Sequence, residues 1–192
     1  MNHDAQAGYA ISDMAPEDVE GARAVMLRSV VEDFRSDYDP AVHADIDDLL
    51  GWYSSPGGPF MLVARDHSSG RVIATGGIRG GALTEGLSPK HLVERYRGGR
   101  TGQIVRVYVL REERRRGIAR AIAEAILARA RAEGHYDRIV FHTFLHSPGA
   151  VAFWTSMGAT LIEDDTDGIS SAMYYEIDNL PSRLEATTPV PS

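Results

Sequence analysis

The sequence predicts a mixed fold of strands and helices, α+β in class, and three features carry that expectation. Two apolar, β-rich runs, 60–64 and 71–78, flank Asp66-His67-Ser68-Ser69-Gly70 and read as a hairpin. A further β-branched run, Ile104 to Leu110, leads through a charged loop into Ile118, Ile122, Ile126 and Ala130, whose four-residue spacing lays one apolar stripe on a helix. Near the end, 159–163 and 170–177 form another hairpin across the acidic turn 164–168.

The elements follow in order. Residues 8–12 form a short first strand, and Pro16-Glu17-Asp18 opens a helix with proline and acids in its first turn. That helix carries Val19, Ala22, Val25, Met26, Val30 and Phe34 inward. Residues 35–44 read as a polar turn, 45–53 as a second short helix, and 54–59 as its Ser/Pro/Gly break. After the hairpin, 79–100 exceeds a tight connection, with helical turns over 88–96 between Gly80-Gly81 and Gly98-Gly99. It is either a surface insertion or a lid on the acceptor side or dimer contact. Gly134 stops the central helix, 136–143 is a strand, and 148–157 a helix. One domain over 1–178 with an insertion at 79–100 is expected, and the Pro-containing segment 179–192 is expected to form a flexible tail.

Composition narrows the chemistry. The 192 residues are 43% hydrophobic and 24% charged, ordinary for a globular domain. No apolar run approaches the roughly 20 residues of a membrane span, and the N-terminus does not resemble a signal peptide, so a cytoplasmic protein is expected. The absence of cysteine excludes disulfides, thiolate zinc sites and a cysteine nucleophile; no metal site is expected. A net charge of −7 argues against a nucleic-acid partner and suits a cationic small molecule such as an amine.

The junction before the central helix carries the sharpest signal. A helix start leaves about four N–H groups unpaired and concentrates partial positive charge. Gly117 removes a side chain where an anion approaches the backbone, and Ala119 keeps that approach open. Arg114, Arg115, Arg116 and Arg120 add mobile cations, an arrangement suited to a pyrophosphate.

The hexapeptide Arg114-Arg115-Arg116-Gly117-Ile118-Ala119, directly after Val107-Tyr108-Val109, resembles the coenzyme A loop of the GNAT superfamily of N-acyltransferases. A second segment, His146 to Ala159, resembles that family's later helix, with Ser147, Ala150 and Trp154 at its Asn, Ala and Tyr positions. The resemblance spans roughly residues 8–178 and is closest over 101–160. It implies a largely antiparallel sheet whose two central parallel strands splay apart, flanked by helices. It also implies acetyl-CoA as cofactor: Arg114 to Arg120 at the pyrophosphate, Val107, Tyr108 and Val109 along the pantetheine arm, and Ser147, Ala150 and Trp154 across from it. The Val109 N–H is implied as the oxyanion donor. A homodimer is suggested by analogy alone.

Two departures bear on chemistry. Counting fourteen residues back from Gly117, where many relatives place a general-base Glu, gives Gln103, which can orient a water but cannot take a proton. The residue that protonates the departing thiolate becomes Trp154, whose indole does not ionise usefully; a thiol of pKa about 8–9 is still a tolerable leaving group. His142 is then the leading candidate base, with His146 beside it and Tyr108 and Tyr174 behind. Phe34, Asp37, Tyr38 and Gln103 are candidates for the acceptor side, where Asp33, Asp37 and Asp39 either attract a cation or form a solvated acidic turn. Expected is acetyl transfer to a small primary amine by direct attack; the alternative is an acyl-CoA-binding protein without activity. Nucleotide chemistry at the Arg-rich loop is disfavoured by the lack of a P-loop motif.

Overall fold

In the computed structural model, β-branching and period-two alternation give strands β1 (Tyr9–Asp13), β2 (Phe60–Asp66), β3 (Val72–Gly80), β4 (Thr101–Val109), β5 (Arg138–Phe144), β6 (Thr160–Asp165) and β7 (Ala172–Asp178). The helices are α1 (Val19–Glu32), α2 (Pro40–Asp47), α3 (Leu49–Tyr53), α4 (Lys90–Arg95), α5 (Ile118–Glu133) and α6 (Pro148–Ser156). The structure describes residues 8–178 apart from 35–36, 56, 82, 99, 145–146 and 169. The expectations for the 179–192 tail and for His146 fall outside the described residues.

The strands form one sheet in the order β1-β2-β3-β4-β5-β7-β6. Every neighbouring pair is antiparallel except β4 and β5, which α5 joins as a parallel crossover. The fold class is therefore the expected one: mixed, largely antiparallel, with a parallel pair at its centre.

The isoleucine stripe of α5 seats directly on β3. A Cβ at Gly76 would collide with Ile122 Cγ2 and lie 3.2 Å from Ile126 Cδ1, so only glycine lets the helix approach this closely. Ile118, Ile122, Ile126 and Ala130 are all buried there. Helix α1 packs on β3 and β4 through buried Ala22, Val25, Met26 and Val30.

One expectation is corrected. The polar turn over 35–44 and single helix over 45–53 become two helices: Pro40 starts α2, which bends at His43, and the Asp48 carboxylate caps α3 by accepting the Gly51 N–H at 3.0 Å. His43 Nδ1 accepts the Asp39 N–H at 3.0 Å, so a side chain satisfies the backbone where α2 begins. Segment 79–100 packs on the sheet through apolar side chains. Its Leu83, Leu92, Val93 and Tyr96 are buried with Val140, Ala172 and Tyr174 in a second apolar cluster against β5 and β7. The Tyr96 hydroxyl donates to Glu176, and burial together with that carboxylate raises the phenol's pKa.

Candidate active site

Strand β4 ends at Val109, and a short 3-10 turn, Arg111–Glu113, brings the chain to Gly117 at the start of α5. Arg115 and Gly117 both take positive φ, 65° and 79°, coiling the loop so that the helix opens without a side-chain cap. A Cβ at Gly117 would meet nothing within 4 Å, so local packing does not demand the glycine. It supplies the left-handed backbone and leaves the first-turn amides approachable.

The four arginines are not all mobile, which corrects that expectation. Arg114 is fixed by Asp33 and by donating its Nε to the Val109 carbonyl at 3.1 Å. Arg116 pairs with Glu113 and lies over the Tyr9 ring. Arg120 donates to Ser156 Oγ at 2.8 Å and pairs with Glu124 at 3.5 Å. Among the described residues Arg115 alone of the four has no ion-pair partner. The physical reason is the proximity of the α1 end: Asp33, read as part of an acidic acceptor turn, also binds Arg111 and so braces the loop.

Beside this turn the sheet parts. The β4–β5 ladder runs only through Thr101–Gln103 against Arg138–Val140, although β4 continues to Val109 and β5 to Phe144. Each strand keeps its outer partner, β3 and β7, along that further length. The Leu110 N–H bonds the Ile73 carbonyl at 3.1 Å, so ladder alternation turns the Val109 N–H away from β3, toward the parted side. The Phe34 ring stands between the strands, 5.5 Å from Tyr108 and 5.6 Å from Phe144.

On the sheet face opposite α5 lies a polar cluster that the sequence did not disclose. A bulge between β3 and β4 places Arg106 at φ 55°, and its carbonyl accepts the Thr75 hydroxyl at 2.8 Å. The Arg106 guanidinium grips Asp45 through both carboxylate oxygens, at 2.5 and 3.0 Å, and also reaches the Val42 carbonyl at 3.0 Å. The Tyr53 hydroxyl donates to Asp45 at 2.6 Å. Burial disfavours the Asp45 carboxylate, but Arg106 and Tyr53 outweigh it and hold the pKa below its usual value. The one signal available was a charged residue interrupting the β-branched run 104–110.

Gln103 lies buried in this cluster, its amide oxygen accepting Arg79 Nε at 2.9 Å. His142 packs edge-on to Phe144 and against Tyr174, both at 5.7 Å. Its ring is reached from the open side of the sheet, yet the surrounding protein desolvates it, and Arg106 and Arg79 add positive charge. Together these push its pKa down to about 4. The imidazole is therefore neutral at pH 7.

The remaining predicted residues are spread more widely. Trp154 is buried, its ring 4.2 Å from Phe141, which itself stacks on Tyr175; the structure gives the indole a packing role. Ser147 is the N-cap residue of α6, and its carbonyl accepts the Ala150 N–H at 2.8 Å. Tyr38 donates to Asp47 and stacks on His43, while Asp37 is exposed beside it.

This architecture, a sheet parted beside an uncapped glycine turn, belongs to a recognisable class. The model of the acetyltransferase (GNAT) family matches residues 26–159. The chain belongs to that family. Solved structures agree on the fold. An acetyltransferase of the GNAT family from Staphylococcus aureus Mu50 superposes with a TM-score of 0.69 at 14% identity, covering 90% of this chain and 99% of its own. The yncA protein of Salmonella typhimurium, determined with its cofactor acetyl-CoA, gives 0.67 at 17% identity, with coverages of 92% and 96%. NAA60 of Arabidopsis thaliana, in complex with acetyl-CoA, gives 0.61 at 13%, with coverages of 88% and 98%. No curated protein gives a significant sequence match. Among the described residues, no helix is long and apolar enough to cross a membrane.

Proposed function

We propose that the protein is an N-acetyltransferase that moves an acetyl group from acetyl-CoA to the primary amine of a small molecule, by direct attack. The observation that carries this reading is the parting of β4 from β5 beside the uncapped start of α5. Acetyl-CoA brings an activated thioester, and coenzyme A leaves as its thiol. The amides at Gly117 to Arg120, with the α5 dipole and the unpaired Arg115, are the groups that would hold its diphosphate. The inward-turned edge of β4 at Val109 offers hydrogen bonds to an extended amide chain, as an added strand does. The Val109 N–H is a fixed dipole where negative charge develops on the acyl oxygen.

The acceptor amine must lose a proton. Arg79, with no carboxylate partner among the described residues, sets a positive potential on this face, which favours the neutral form of a bound amine. Neutral His142 is the acceptor for that proton in this scheme. Phe34 walls the gap.

The test is thiol release from acetyl-CoA with a panel of primary amines, beside melting with acetyl-CoA or ATP. Turnover on an amine and a raised midpoint with acetyl-CoA only are expected. The buried, engaged state of Gln103 and Trp154 favours a second reading, an acyl-CoA-binding protein without activity; affinity for coenzyme A with no turnover on any amine would establish it. His142→Ala is expected to lower kcat/KM and remove an acid-limb inflection near pH 4. An unchanged pH–rate profile eliminates His142 as the base.

A further inference from the structure

The charges on the acceptor face do not balance, and the imbalance points to a substrate class. Arg106 is neutralised: Asp45 Oδ1 and Oδ2 both accept its guanidinium, and Oδ2 also takes the Tyr53 hydroxyl. Arg79 is not. Its Nε donates to the neutral amide of Gln103 at 2.9 Å, and among the described residues no carboxylate pairs with it. It is half-buried, on the face of β3 opposite α5, in register with Gln103 of β4. Burying part of a guanidinium with one neutral partner costs free energy unless a ligand completes its hydrogen bonds.

The other ionisable groups nearby do not cancel that charge. His43 and His142 are both held toward the neutral form, by burial first and by Arg106 next. Burial raises the Tyr53 pKa, keeping that phenol protonated. Asp33 is occupied by Arg111 and Arg114 on the loop side, and Asp47 by Arg23 and Tyr38. Among the buried and half-buried groups here Arg79 and Arg106 are positive and Asp45 negative, an excess of one positive charge, whereas Asp37 and Asp39 are exposed to solvent.

We infer that the acceptor amine also bears a carboxylate, as in an amino acid or a close analogue, and that the two free terminal nitrogens of Arg79 hold that carboxylate. A planar guanidinium anchored through Nε presents its Nη pair for bidentate recognition, the geometry a carboxylate matches. Held there, the ligand's carboxylate pairs with Arg79, and its amine is left on the sheet face that His142 shares, with the neutral imidazole to take its proton. Arg79 is thus a specificity residue on β3. The inference rests on the N-acetyltransferase reading and adds the acceptor class to it.

The experiment compares amino acids with their decarboxylated amines, pair by pair, in the thiol-release assay. Wild-type protein is expected to prefer an amino acid by about tenfold or more in kcat/KM, the worth of one charge-assisted bidentate contact. Arg79→Gln is expected to raise KM for the amino acid and bring the ratio near one, with the acetyl-CoA midpoint shift retained as evidence of folding. Arg79→Lys keeps the charge without the fork and is expected to fall between. Equal or better use of the decarboxylated partners by wild-type protein overturns the carboxylate anchor while leaving acetyl transfer intact. A preserved ratio in Arg79→Gln overturns the assignment to Arg79. No transfer to any amine defeats the underlying reading, and the inference with it.

Discussion

Gly117→Glu is expected to weaken acetyl-CoA binding by about 100-fold or more, close to 3 kcal/mol. The backbone there has room for a side chain, since a Cβ meets nothing within 4 Å. The folding cost is therefore the left-handed φ of 79°, about 1–2 kcal/mol for a non-glycine residue. A carboxylate at that point sits against the uncapped amides, occupies them, and repels a diphosphate. Gly117→Ala separates the two effects: it bears the strain without the charge and should retain most of the affinity. Equilibrium binding by calorimetry reads both variants. Unchanged affinity in Gly117→Glu would remove the α5 N-terminus from the site.

The second large effect concerns stability. Asp45→Ala leaves Arg106, 13% exposed, without its counter-charge and the Tyr53 hydroxyl without its acceptor. Breaking a buried pair on one side costs about 3–5 kcal/mol. For a domain of this size that lowers Tm by about 10 °C. Activity should fall further than stability explains, because Arg106 occupies the strained bulge that sets the path of β4 toward Val109. The pH dependence has a definite sign. The Asp45 pKa is lowered by folding, so its stabilisation is full above the ordinary value of 3.8 and is lost as pH falls through the folded value. Folding likewise lowers His142, from 6.5 to about 4, so stability declines with acid across that interval as the unfolded chain takes up the proton first. Thermal melts of wild type and Asp45→Ala from pH 3 to 8 read both; a Tm for the variant within 2 °C of wild type at pH 7 would refute the pairing.

Legibility in the sequence followed the range of the interactions. Gly117, the Ile118–Ile122–Ile126 stripe and the 60–78 hairpin are local patterns, and local geometry enforces them. The parting of β4 and β5 was implied only by family resemblance, because nothing in the spacing of Ile104 to Leu110 says where a ladder stops. Pairings across the fold were invisible. Asp45 and Arg106 lie 61 residues apart, and Asp33 meets Arg114 across 81. The sequence therefore suggested mobile arginines and an acidic turn that is solvated or, by family resemblance, faces the acceptor, where folding joined Asp33 to the loop. The sequence leaves segment 79–100 open between a surface insertion and a lid or dimer contact, because only the α4 turns bring Leu92, Val93 and Tyr96 onto one buried side.

A crystal structure of the protein with coenzyme A tests the core of this reading most directly. It should show the diphosphate on the backbone amides of Gly117 to Arg120 and the pantetheine arm bonded along Val107 to Val109, its thiol in the gap between β4 and β5. A diphosphate seated elsewhere, or coenzyme A lying outside the parted strands, would contradict it.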